Sequence, residues 1–250
     1  MAAEMKWQPA VLLLTIAALT AVPIVAGHAW VTVPQGRQHL NAVLFGSDTN
    51  PQAANGVGNL CGDGGQDQIA TWNAYNQPHE VPVTNAFTAG STVTFQVAAT
   101  ATHLGRFEFR VCAFDGHEAT SLTQECLDAH VLQPAPGQAQ VAPGLPWYYL
   151  PHPWSADASD PACNTCTSGG GGPDWRHASL YNMSYVIPDD IRCNAVDSKC
   201  VLQFSYVTGN SCNPPGTPCP STFCKQSVST TECVRDVNEV FRNCADITIS

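Results

Sequence analysis

The chain of 250 residues carries a formal net charge of −10, has only 12% charged residues and holds 12 cysteines. That balance argues against a nucleic-acid partner, whose phosphates demand a basic stripe, and fits an uncharged or neutral-polymer ligand. The length fits one domain, since all-β domains of roughly 200 to 250 residues are common.

In chain order, the first feature is the apolar run "VLLLTIAALTAVPIVA" from Val11 to Ala26, behind Lys6, with Val25 and Gly27 at the −3 and −1 positions of a cleavage site. The run holds 16 residues and is broken by Pro23, short of the roughly 20 that a spanning helix needs. It reads as a secretory signal peptide over residues 1–27, with 28–250 as the mature domain, secreted and free of the membrane once cleaved. All the cysteines, Cys61 through Cys244, lie downstream of it. An even count in an exported chain reads as disulfides, up to six of them, with a connectivity the sequence does not reveal. The rival reading is a zinc site built from Cys163, Cys166, Cys193 and Cys200, which export and irregular spacing disfavour.

"AWVTV" is β-prone, and a Gly/Asn/Gln-rich loop region follows from about Asn41 to Gln77. Alternation returns in "STVTFQVAAT", where Val93, Phe95 and Val97 share a face, and in "GRFEFRVC", where Phe107, Phe109 and Val111 do. These read as neighbouring strands. The Pro- and Gly-rich segment from Asp115 to Arg176 reads as a second loop region with no helix beyond a turn or two, and Gly169 to Gly172 as a surface loop rather than a linker. "LYNMSYVIP", "CVLQFSYVTGN" and "CADITIS" complete the strands. The expected fold is all-β, an immunoglobulin- or fibronectin-like antiparallel β-sandwich with long disulfide-stapled loops. The sequon Asn182-Met183-Ser184 lies in one of these strands and permits N-glycosylation in a host that glycosylates.

Cleavage after Gly27 makes His28 the first residue. Such a histidine offers an α-amine and an imidazole nitrogen to one metal ion, and a second histidine completes a three-nitrogen set. Nitrogen-only ligation suits copper, where zinc prefers a closed tetrahedron. The amine's ordinary pKa of about 7.7 to 8.0 lets a metal displace its proton near neutrality. Of the eight histidines, His103 in "ATATHLGRFEFRVC" is the best second ligand, because it stands at a strand junction.

"HAWVTVPQGR", with Pro34 and Arg37, resembles the start of the lytic polysaccharide monooxygenases of the chitin-binding type-4 kind, active on chitin or cellulose. "ATATHLGRFEFRVC" is similar to their second-histidine segment, "YVIPDDIRCNAVDSKCVLQFSYVTGNSC" to their paired strands, and "EVFRNCADITI" to their last strand. The resemblance implies a copper site, one ion per chain, braced by His28 and His103, with Phe241 in the axial position and Ala101 on the other side. It implies a monooxygenase that uses an external reductant and oxygen or peroxide to break glycosidic bonds of an insoluble polysaccharide, chitin ahead of cellulose. The chain is expected to act as a monomer.

Glu239, two residues before Phe241, reaches the same face by the period-two alternation of a strand, where a carboxylate can orient oxygen or peroxide and pass a proton. An acidic or amide residue of the Asn41 to Gln77 loop is the alternative. Trp72, Tyr75 and Asn76 on the early loop, and the aromatics of "LPWYYLPHPW", are candidates for sugar contact, since a ring stacks on a sugar face. The alternative reading is a non-catalytic chitin-binding or defence protein on the same fold, which retains both histidines and lacks turnover.

Overall fold

The computed structural model describes residues 28–37, 60–61, 85–101, 105–115, 121–138, 141, 144–150, 179–194, 196–209 and 240–250. Their strands are β1 (His28–Val33), β2 (Asn85–Phe87), β3 (Thr92–Ala101), β4 (Arg106–Phe114), β5 (Gln133–Pro134), β6 (Tyr148–Tyr149), β7 (Ser179–Val186), β8 (Lys199–Val207) and β9 (Val240–Ile249). Helix α1 (Gln124–Ala129) lies after β4. No helix among the described residues is long and apolar enough to cross a membrane.

The strands form two sheets, ordered β1-β3-β7-β5 and β2-β9-β8-β4-β6. Alternation along each strand explains why they stack. Phe95 and Val97 of β3, Phe107, Phe109 and Val111 of β4, Tyr181, Met183 and Tyr185 of β7, and Leu202, Phe204 and Tyr206 of β8 are all buried. These are the inner faces of a sandwich, and each fully buried large side chain contributes about 1.5–3 kcal/mol. The layers interdigitate through rings: Phe95 meets Phe109 at 4.7 Å between centroids, and Phe109 meets Tyr185 edge-on at 4.9 Å.

Two expectations change. β3 and β4 are consecutive but lie in opposite sheets, as do β7 and β8. Both members of each pair carry an apolar face, and such faces can be buried by packing across the sandwich as well as by pairing edge to edge. The sheets are also not wholly antiparallel, because the three-residue β2 pairs parallel with the end of β9, with Asn85 opposite Ile247. Within the second loop region the structure adds α1 and the short strands β5 and β6.

Helix α1 starts at Thr123, whose side chain accepts a hydrogen bond from Cys126 N at 3.1 Å, satisfying one of the free amides of the first turn. Leu127 buries its side chain against Cys112, Phe114 and Val201 on the outside of the second sheet. Three disulfides are described, Cys61–Cys244, Cys112–Cys126 and Cys193–Cys200, and no described cysteine is free. The last of these uses two of the four sulfurs the zinc reading required. Cys163 and Cys166 lie outside the described residues.

Candidate metal centre

One end of the sandwich gathers the strand termini that matter. β1 begins at His28, whose Cα stands opposite Ala101, the last residue of β3. β4 begins at Arg106, opposite Val207 at the end of β8, and Val207 stands opposite Val240 at the start of β9. The two sheets are registered at this end by a hydrogen bond from Val31 N to Asn243 Oδ1 at 3.0 Å. Further along, Arg37 bonds Asp246. β1 and β9 therefore run the same way, which puts their first residues, His28 and Val240, toward the same end.

Phe241 is buried on the inner face of β9 and stacks on Tyr206 of β8, with centroids 5.8 Å apart and planes inclined by 29°. A phenyl ring offers no oxygen, so any ion near it must take its ligands from elsewhere. Only the backbone of His28 is described, and it is tied to Ala101. His103 lies outside the described residues. It follows Ala101 by two positions in the sequence. Glu239, Trp72, Tyr75 and Asn76 also lie outside them. Among the described residues no group of three His, Cys, Asp or Glu side chains could hold a metal. The donor set expected from the sequence is the nitrogens of His28 and His103, a kind of ligand set that suits copper.

Gly105 carries the chain from His103 into β4. Its φ is +81°, and a Cβ there would overlap the Val207 carbonyl oxygen, so no other residue allows β4 to start this close to β8. The Gly105 carbonyl accepts from Leu150 N at 3.2 Å, which fixes the segment 147–150 beside it.

The flank of this end is charged. On the outer face of β4 the Glu108 carboxylate is gripped by Arg106 and by Arg110, the latter at 2.7 Å. Arg106 also lies over the Trp147 ring at 4.0 Å, a cation–π contact. Burial pushes the Tyr149 phenol up to about 12, opposed by the charge of Arg106 and reinforced by that of Glu108. Burial lowers the pKa of Arg242, and the charge of Arg110 adds to the effect.

Sequence reasoning offered "LPWYYLPHPW" as sugar-contact aromatics. Tyr148 and Tyr149 are instead buried, at 3% and 2% exposure, because β6 pairs with β4. Trp147 stays part-exposed at the same end as His28. Gly105 and Asn243 went unrecognised as positioning residues. A glycine two positions after a candidate ligand was the available signal for the first, whereas nothing local marks the second.

The family model described as "Lytic polysaccharide mono-oxygenase, cellulose-degrading" matches residues 25–247. None of the curated proteins matches the chain. Among solved structures, a lytic polysaccharide monooxygenase of the AA15 class from Thermobia domestica, in the Cu(I) state, is 22% identical with a TM-score of 0.51. The likeness covers 89% of this chain and 98% of that one, and it shows a shared fold. A cellulose-active lytic polysaccharide monooxygenase in complex with copper is 13% identical, with a TM-score of 0.49 and coverage of 88% and 98%. With the family model running through nearly all of its length, the chain belongs to the lytic polysaccharide mono-oxygenases, copper-dependent oxidoreductases that act on polysaccharide.

Proposed function

We propose that residues 1–27 are a signal peptide, that the secreted chain starts at His28, and that it binds one copper ion through the His28 α-amine and the imidazoles of His28 and His103. Acting as a monomer, it would oxidatively cleave glycosidic bonds of crystalline polysaccharide, chitin ahead of cellulose. The observation that carries the reading is the register of His28 with Ala101, at the sandwich end where β9 brings Phe241. Copper held there would supply one-electron redox chemistry that, with an external reductant and oxygen or peroxide, would allow hydroxylation of a carbon at the glycosidic bond and so break the polymer.

The chain's own residues set the conditions. The phenyl ring of Phe241 gives one side of the site an apolar wall and withholds an oxygen ligand. Ala101 is proposed, on the resemblance, to be the small residue on the other side of the site. Glu239 is proposed to orient the oxygen species and hold or pass a proton. Trp72, Tyr75 and Asn76 are proposed to meet the sugar faces, and Trp147 adds a part-exposed ring at the same end. A broad contact surface is required, because a crystalline polymer cannot enter a deep pocket.

The preference for chitin rests on the resemblance of the segments around His28 and His103, while the matched family's description names cellulose. The test is to incubate correctly processed, copper-loaded protein with a reductant on chitin and on cellulose, and to analyse the soluble products. Oxidised chito-oligosaccharides in excess are expected. Oxidised cello-oligosaccharides in excess would reverse the order of substrates. Firm retention on chitin without oxidised product from either polymer would favour a non-catalytic binding protein.

A further inference from the structure

The sequence holds a single Asn-x-Ser/Thr sequon, Asn182-Met183-Ser184, and it lies in the middle of β7. Its neighbours Tyr181 and Met183 point into the core and are 2% and 1% exposed. Asn182 and Ser184 therefore face outward, and both are part-exposed. On that face Asn182 stands opposite Gln96 of β3, and Ser184 opposite Thr94.

The surface around Asn182 is uncharged and internally hydrogen-bonded. Thr32 Oγ1 donates to Gln96 Oε1 at 3.0 Å, Gln96 Nε2 donates to Asn182 Oδ1 at 3.0 Å, and the hydroxyls of Thr94 and Ser184 are 3.2 Å apart. This row occupies the Asn182 carbonyl oxygen and leaves Nδ2 without a described partner. Asn182 is itself part-exposed on this outer face. The oxygen is engaged sideways by the neighbouring strand, and the nitrogen is the amide atom left for a substituent on this part-exposed face.

We propose that Asn182 is an N-glycosylation site. The co-reactant is a lipid-pyrophosphate-linked oligosaccharide. Asn182 Nδ2 attacks the anomeric carbon, a C–N bond forms, the C–O bond to the pyrophosphate breaks, and the amide loses one proton, with no change of oxidation state. Transfer takes place on the extended chain before folding, because in the sandwich the Ser184 amide is held by Gln138 Oε1 at 2.7 Å. The folded face then leaves the sugar in solvent among hydroxyl and amide groups. Gln96 lies five residues before Ala101, the partner of His28, so the glycan sits about 17 Å along the strand from that end. It flanks the end of the sandwich without capping it.

The proposal rests on the export reading, and the experiment separates the two. The full chain is expressed in a glycosylating eukaryotic cell once with its own residues 1–27 and once with an established leader ahead of His28. Secreted protein is analysed by mass before and after peptide N-glycosidase. The expected result is one glycan, lost in Asn182→Gln and in Ser184→Ala and kept in Ser184→Thr. Secreted wild-type protein of unmodified mass behind the established leader would overturn the proposal. Secretion behind that leader combined with retention behind residues 1–27 would sink the export reading while leaving the glycan result to be read directly.

Discussion

Arg37 and Asp246 form a two-pronged ion pair: Nε donates to Oδ2 at 2.7 Å and Nη2 to Oδ1 at 2.7 Å. Arg37 is 3% exposed, so the pair works with little water around it. It fastens the turn after β1 to β9 and so holds the strand that presents His28. Removing one partner takes a bidentate, charge-assisted contact away from a largely buried ion, at a cost of about 1.5–3 kcal/mol. Asp246→Ala is expected to lose stability on that scale in urea unfolding. Arg37→Lys should recover little of the Arg37→Ala loss, because a point charge cannot reproduce the fork. An Asp246→Ala loss below about 1 kcal/mol would show that the pair is solvent-screened and structurally idle.

Tyr185 presents the opposite case. Its ring stacks at 5.7 Å on Phe95 and meets Phe109 edge-on at 4.9 Å, but its hydroxyl is buried without a hydrogen-bond partner. A buried unsatisfied hydroxyl costs about 1–3 kcal/mol. Tyr185→Phe keeps the ring and removes the cost, so the variant should be more stable by about 1 kcal/mol, seen as a higher denaturation midpoint at unchanged m-value. Lower stability would mean that a water or another group satisfies the hydroxyl.

The sequence made the strands legible wherever alternation was long and apolar on one side: β3, β4 and β8 were read from Val93, Phe95 and Val97, from Phe107, Phe109 and Val111, and from Leu202, Phe204 and Tyr206. It did not reveal which strands pair, because period two names a buried face and says nothing of the neighbour at the edge. Hence β3 and β4 were read as neighbours although they face one another across the core. β2, three residues long, carries too little pattern to see, and its parallel pairing with β9 depends on long-range topology. At the candidate site, His28 and Phe241 could be located through motifs, and their strand ends do come to one end of the fold. Gly105 was marked only by its place two residues after His103, and Asn243 by nothing local, since their roles depend on contacts with Val207 and Val31, far away in sequence.

Alkaline pH should loosen the fold through the same aromatic layer. Burial raises the Tyr149 phenol from 10.0 to about 12 and the Tyr185 phenol well above its ordinary value. A folded pKa above the unfolded one means that the unfolded chain releases protons first. The stabilisation is therefore whole below pH 10 and declines as pH rises from about 10 toward 12. Urea midpoints should be flat up to about pH 9.5 and then fall, and Tyr149→Phe should make the fall shallower. A midpoint independent of pH up to about 11, or an undiminished fall in Tyr149→Phe, would show that Tyr149 ionises alike in both states.

The proposed role of His28 turns on its α-amine, which residues 1–27 would block. If copper is held by that amine together with the imidazoles of His28 and His103, one extra residue ahead of His28 converts a basic nitrogen into an amide, a poor ligand unless deprotonated. Loss of a partner that merely orients a ligand already costs about 10–100-fold in metal affinity. Loss of a ligand should cost about 100-fold or more. The fold should be untouched, since β1 begins at His28 and the added residue lies beyond the pairing with Ala101. His103→Ala removes another proposed nitrogen ligand and should weaken copper to a similar extent. Copper titration of the processed, extended and His103→Ala proteins, with thermal unfolding of each metal-free form, separates ligand loss from misfolding. Equal copper affinity in the processed and extended proteins would mean that His28 holds its place for a reason other than metal binding by its amine.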